Sequence, residues 1–189
     1  MSGKYKIAEK NGKGREYKLN TNILIFEGEY LNWKRNGKGK EYDPDGKLKF
    51  EGEYLNGEKN GKGKEYYNGK LEFEGEYLNG KRNGKGKEYY SGGELKFEGE
   101  YLNGKKWNGK GYNKNGNIEY EIEDGKGYIK EYKEYHYDDK LQFEGEYLNG
   151  KRKGKGKEYY VNGKLKFEGD YLNDEKGMVK EKNIMKMVI

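Results

Sequence analysis

The sequence has no cysteine, one proline and one histidine in 189 residues. Without cysteine there can be no disulfide, no thiolate metal ligand and no cysteine nucleophile. His136 is the sole histidine, and Ser2, Ser91 and Thr21 are the only hydroxyl residues besides tyrosine. No Ser-His-Asp set or multi-histidine metal site can be assembled from these. No stretch approaches the ~20 apolar residues of a membrane-spanning helix. Met1-Ser2-Gly3-Lys4-Tyr5 offers no apolar signal-peptide core. Apolar side chains are scarce overall, with a mean hydropathy of −1.44 and 39% charged residues, values that border on disorder. The expectation is a cytoplasmic protein, membrane- or cytoskeleton-associated at most, that is not an enzyme and carries no cofactor.

What is present argues for order. Aromatic residues make up 15% of the chain, with 21 tyrosines and 6 phenylalanines, and the 32 glycines fall in register. Every phenylalanine begins the same phrase, Phe-Glu-Gly-(Glu/Asp)-Tyr-Leu-Asn, at Phe26, Phe50, Phe73, Phe97, Phe143 and Phe167. Tyr120 fills the one vacant place in that series. A second anchor, Gly-Lys-Gly, recurs at residues 12–14, 37–39, 61–63, 84–86, 109–111 and 154–156. Together they set eight copies of about 24 residues, starting at 1, 26, 50, 73, 97, 120, 143 and 167, and residues 1–189 read as a single domain of repeats.

Within one copy, Phe73, Gly75 and Tyr77 are two apart and share one face of a strand, with Glu74 and Glu76 on the other. Asn79-Gly80 and Asn83-Gly84 are turn signals, because Asn and Gly tolerate positive φ. Lys85, Lys87 and Tyr89 alternate with Gly84, Gly86 and Glu88 as a second strand. Each copy is therefore a β-hairpin, and glutamate on one strand can pair with lysine on the other. Mid-strand glycine marks a close approach, so the rings of one hairpin are expected to lie over the glycines of its neighbour. The fold class is all-β: an elongated array of about eight stacked antiparallel hairpins in a single twisted layer, a rod of roughly 75 Å.

The phrase Phe-Glu-Gly-Glu-Tyr-Leu-Asn-Gly-Lys-Arg-Asn-Gly-Lys-Gly resembles the MORN repeat, best in copies 26–49, 50–72, 73–96 and 143–166. Tyrosine stands where that family often has tryptophan, and asparagine where it often has histidine. The resemblance implies a scaffold, a tether at membranes or the cytoskeleton, or a dimerisation module, with phospholipid binding among the proposed roles.

Two copies depart from the pattern. Copy 97–119 carries an extra Trp107, expected in its turn. Copy 120–142 reaches Gly125-Lys126-Gly127 early and then runs long. It reads either as a degenerate copy with a short turn and a longer strand, or as a specialised patch of Tyr128, Tyr132, Tyr135, His136 and Tyr137. The last copy ends in the apolar Asn183-Ile184-Met185-Lys186-Met187-Val188-Ile189. An uncovered apolar edge associates, so this end is expected to cap the array or to pair with a second copy as a dimer.

Two sets of candidate site residues follow. An aromatic groove for protein partners would be formed by Phe26, Tyr30, Phe50, Tyr54, Phe73, Tyr77, Phe97, Tyr101, Phe143, Tyr147, Phe167 and Tyr171. Contacts to anionic phospholipid or phosphoinositide would come from basic hairpin tips, Lys34, Arg35, Lys81, Arg82, Lys105, Lys106, Lys151 and Arg152, each worth about 1 kcal/mol near a charged surface. Glu58 interrupts that series. Copies 1–25 and 143–166 are the basic ones, the latter with seven Lys or Arg against three Glu. Nucleic acid is an unlikely partner, because interspersed glutamates repel phosphate along most of the surface. A protein scaffold is the leading function, with a peripheral membrane module, or a targeting or regulatory arm for an enzyme on another chain, as alternatives.

Overall fold

The computed structural model describes residues 4–8, 10–135 and 138–176. Within them the chain forms one open antiparallel sheet of sixteen strands, arranged in sequence order and without helices. A short β1 (Lys4–Ala8) pairs with β2 (Gly12–Lys18). The regular hairpins are β3 (Leu24–Leu31) with β4 (Lys34–Tyr42), β5 (Leu48–Leu55) with β6 (Glu58–Tyr67), β7 (Lys70–Leu78) with β8 (Lys81–Tyr89), and β9 (Leu95–Leu102) with β10 (Lys105–Tyr112). The altered copy gives β11 (Ile118–Glu123) and β12 (Lys126–Tyr135). It is followed by β13 (Asp138–Leu148), β14 (Lys151–Tyr159), β15 (Leu165–Leu172) and a two-residue β16 (Glu175–Lys176).

The hairpin tips are tighter than the sequence suggests. Only two residues turn, Asn79-Gly80 in the third regular hairpin, and both have positive φ. This is the type I′ pattern, whose twist matches that of the flanking strands. Trp33 takes the place of the second glycine in the first such tip, at φ 64°. Successive tips are laced together. Gly57, Gly80 and Gly104 donate their backbone N–H to the carbonyls of Arg35, Lys59 and Arg82 in the preceding hairpin, at 2.8–2.9 Å. The side-chain carbonyl of Asn83 accepts from the Asn103 N–H in the same way. The difference between the 24-residue copy 26–49 and the 23-residue copy 50–72 arises at the opposite end. Asn68-Gly69 makes a two-residue turn there, whereas Asp43 to Lys47 closes a longer one with its carboxylate capping two N–H groups.

The repeat fits because glycine sits where rings must lie flat. A row of glycines crosses the sheet, with Gly28 opposite Gly39, Gly39 opposite Gly52 and Gly52 opposite Gly63. A Cβ on Gly39 would stand 2.5 Å from the Phe26 ring and 3.1 Å from Tyr54. The covering rings thus come from the same hairpin and from the next one.

Copy 120–142 resolves as a short turn with a longer strand. Gly125 is the turn glycine, preceded by Asp124, so Gly125-Lys126-Gly127 is not the strand triplet seen elsewhere. The first strand is two residues shorter, which brings the turn forward. Ile122 and Ile129 are buried, and Ile129 lies opposite Gly145 in the glycine row. Trp107 is not in a turn either. It lies inside β10 where the register shifts, with its ring against Gly125. Of the aromatic patch, Tyr128 is exposed and Tyr132 packs edge-on against Tyr90 at 5.6 Å. His136 and Tyr137 lie outside the described residues, as does the apolar end 183–189.

The long strands of this copy reach back across the array. Asp139 accepts from the Ser91 hydroxyl at 2.8 Å and from its N–H at 3.2 Å, and it pairs with Lys114 at 3.3 Å. Lys96 donates to the Tyr132 carbonyl at 2.9 Å. The Asp139 contacts span up to 48 residues and tie hairpins that are not neighbours. Asp139 is almost fully buried, and burying partners that have lost their acceptor costs about 1–3 kcal/mol. Asp139→Ala is expected to speed amide exchange at Ser91 while leaving Gly57 and Gly80 unchanged. Uniform protection at Ser91 in the variant would mean that the clasp adds nothing.

Candidate functional site

The two faces of the sheet carry different chemistry. On one face Phe26, Phe50, Phe73, Phe97 and Phe143 are fully buried, and Tyr30, Tyr54, Tyr77, Tyr101 and Tyr171 nearly so. Phe26, Phe50 and Phe73 each meet their own tyrosine and that of the next hairpin edge-on. Phe50, for example, lies 5.6 Å from Tyr54 and 5.4 Å from Tyr77. This edge-to-face geometry suits the ring quadrupoles. The row expected to form an open groove is therefore the core, because alternation turns every ring onto the same glycine strip, where neighbouring rings and basic side chains cover it. Tyr147 and Phe167 are the partly buried members.

That core is roofed by charge. Arg35, Lys59, Arg82, Lys106 and Arg152 lie 3.9–4.5 Å over Phe26, Phe50, Phe73, Phe97 and Phe143. Three of them bridge carboxylates from two hairpins in an unbroken series: Arg35 joins Glu16 to Glu41, Lys59 joins Glu41 to Glu65, and Arg82 joins Glu65 to Glu88. Lys106 continues to Glu88 at 2.8 Å and to the Tyr120 hydroxyl at 3.2 Å. Acid and base alternate without a gap from Glu16 to Lys106. Ile122 and Ile129 then interrupt the line, which resumes with Glu131, Arg152 and Glu158.

The basic pairs proposed for lipid are consequently split. Lys34, Lys81, Lys105 and Lys151 follow the turn directly and are exposed, whereas Arg35, Arg82, Lys106 and Arg152 face the phenylalanines in the next place along the strand. The exposed edge also carries Leu31, Leu55, Leu78, Leu102 and Leu172, all between 42% and 61% exposed, together with Trp33 at 55%. Sequence reasoning missed this leucine row, although Leu-Asn recurs at each of these tips.

The other face forms a trough of about 1380 Å³ that runs across the strands from Lys13 to Glu100. Its floor is the backbone of Gly14, Gly28, Gly39, Gly52, Gly63, Gly75, Gly86 and Gly99, and glutamate and lysine side chains rise on both sides. Along one wall the pairs Lys40–Glu51, Lys64–Glu74 and Lys87–Glu98 stand 3.5–3.9 Å apart and join one hairpin to the next. Outside that wall Tyr42, Tyr66 and Tyr89 donate to Glu27, Glu51 and Glu74 at 2.6–2.7 Å. Tyr159 repeats the contact with Glu144.

These contacts set two pH limits. Burial opposes ionisation of Glu88, but Lys106 and Arg82 outweigh it and hold its pKa down at about 2, against an ordinary 4.5. Lowered carboxylates stabilise the fold above 4.5, and that contribution is lost as pH falls toward 2. Burial followed by the glutamate acceptor pushes Tyr42, Tyr66 and Tyr89 up to about 12 from 10.0, and in Tyr159 the hydrogen bond leads. A raised tyrosine stabilises the fold below 10, and that part is lost between 10 and 12. Thermal midpoints are expected to be level from about pH 5 to 9 and to fall on both sides, with tyrosinate absorbance appearing only with the alkaline fall. Tyrosinate absorbance complete by pH 10 in the folded protein would contradict this.

Comparison with known families agrees with the geometry. The MORN repeat matches residues 50–70, 73–94 and 143–164, and a MORN repeat variant matches residues 35–56. No curated protein matches the chain.

Proposed function

Because the chain belongs to the MORN-repeat family, we propose that it is a non-catalytic scaffold that holds a partner polypeptide along the glycine-floored trough. MORN repeats act in protein–protein or membrane-lipid interactions. The observation that carries the protein reading is the trough itself, a continuous concave surface crossing β2 to β9. Its walls are repeated side-chain stems, so a linear partner meets the same surroundings at each hairpin. Filling it with Lys40→Trp, Lys64→Trp and Lys87→Trp is expected to abolish capture of a partner that the parent protein retains. Lys34→Glu, Lys81→Glu, Lys105→Glu and Lys151→Glu are expected to leave capture intact. Capture unaffected by the filled trough sinks the reading.

A second reading places the hairpin tips on an anionic membrane. It is favoured by the exposed leucines and Trp33 beside Lys34, Lys81, Lys105 and Lys151, an apolar edge flanked by cations. Glu58 and Glu175 occupy the same exposed place in their hairpins and weaken it. Co-sedimentation with phosphoinositide vesicles at physiological salt, absent with neutral vesicles and lost in the four-glutamate variant, would establish the membrane role.

A further inference from the structure

The two walls of the trough differ in a way that their composition hides. On the wall described above, Lys40, Lys64 and Lys87 each have a carboxylate partner. On the facing wall, Lys38, Lys62 and Lys85 stand opposite Glu53, Glu76 and Glu100 across the ladder. Those carboxylates are engaged elsewhere. Glu53 accepts the backbone N–H of Lys62 at 3.0 Å, Glu76 that of Lys85 at 3.3 Å, and Glu100 the side-chain amide of Asn108 at 3.0 Å. Glu29 likewise takes the N–H of Lys38 at 3.2 Å. The bulge beside each Gly37-type glycine turns the N–H of the following lysine toward the glutamate, and the ammonium is left over. Lys38, Lys62 and Lys85 are exposed and have no ion pair among the described residues.

We propose that these three ammonium groups are the specificity contacts of the trough and that they select an acidic peptide in an extended polyproline II conformation, with a carboxylate at every third residue. The proposal rests on the trough as the partner site and adds the chemistry of the partner. The lysines recur once per hairpin, two strands apart, which is about 10 Å. A polyproline II chain has three residues per turn and rises about 3.1 Å per residue, so every third side chain returns to one face after about 9 Å. A β-strand puts residues i and i+3 on opposite faces and cannot match the row. The backbone floor leaves room for a chain to lie close, and the neutralised wall adds no competing attraction.

The test uses two fluorescent twelve-residue peptides of equal composition. One consists of four Glu-Pro-Pro triplets, and the other has its four glutamates in one block. In low salt the full-length protein is expected to bind the triplet peptide roughly tenfold more tightly than the block peptide, the sum of three exposed charge contacts. Lys38→Gln, Lys62→Gln and Lys85→Gln together should erase that preference. Lys34→Gln, Lys81→Gln and Lys105→Gln, at the hairpin tips outside the trough, change the net charge equally and should preserve it. Equal binding of the two peptides, or equal loss in the two triple variants, overturns the proposal. Circular dichroism confirms that both variants remain folded. If neither peptide binds while the tryptophan-filled trough still abolishes partner capture, this inference fails and the scaffold reading stands.

Discussion

Arg82→Ala is expected to destabilise the protein by about 2–3 kcal/mol, below the ~3–5 for a fully buried ion pair broken on one side, because Arg82 and its partners are partly exposed. Arg82 covers the Phe73 ring at 4.0 Å and holds Glu65 and Glu88 from two hairpins. Removing it leaves Glu65 with Lys59 and Glu88 with Lys106 but takes away the cation that joins the two carboxylates over the aromatic core. Burial raises the pKa of both, and attraction to Arg82 is among the forces that keep them low. Acid unfolding of the variant should therefore begin at higher pH than in the parent. Arg82→Lys is the control. Lysine already fills this place in other hairpins, where Lys59 lies 3.9 Å over Phe50 between Glu41 and Glu65. That variant should recover most of the loss. Urea midpoints of the three proteins decide the matter, and an alanine variant as stable as the lysine one would show that the roof of charge is dispensable.

Gly52→Ala is expected to cost about 3 kcal/mol, at the upper end for overpacking. A Cβ at that position would lie 2.6 Å from the Lys62 carbonyl oxygen, 2.7 Å from the Gly63 Cα and 2.7 Å from the Phe50 ring. Two of these are backbone, so the strand pair must open to admit a methyl group. Gly57→Ala makes the contrast. Its φ is +98° but nothing lies within 4 Å, so only the left-handed backbone penalty of about 1–2 kcal/mol applies. Trp33 already shows that a tip accepts a side chain there. The near-ultraviolet signature of the buried rings should change in Gly52→Ala and persist in Gly57→Ala. The reverse order of stabilities would remove the argument from packing.

The hairpin array was legible because Phe26, Gly28 and Tyr30 repeat at strand spacing with turn residues after them. The inward cations were not. Lys34-Arg35 and Lys81-Arg82 read as equivalent tip residues while the turn is taken to be long, and only a two-residue turn assigns them to opposite faces. A signal existed. The first place varies in sign, with Lys34, Glu58 and Lys81, whereas the second is a cation in every regular hairpin, with Arg35, Lys59 and Arg82. An invariant charge beside a variable one marks the side chain with fixed partners. The trough was not legible, since it depends on how the backbone curves beneath the glycine row. The Ser91–Asp139 contact could not be read either, because repeat logic couples neighbours only.

The strands lie across the direction in which the array grows, and that decides how it bears load. Tension applied at the two ends opens each ladder from one side, bond by bond, instead of shearing all its bonds together. One hairpin of 24 residues then pays out roughly 80 Å of chain. The clasp from Ser91 to Asp139 ties non-adjacent hairpins and makes the segment between them yield as a unit. A force–extension trace should show short steps of one hairpin and a single longer step, and Asp139→Ala should divide that longer step. As a mechanical element the protein is a compliant spring with one stiff link set toward its C-terminal half.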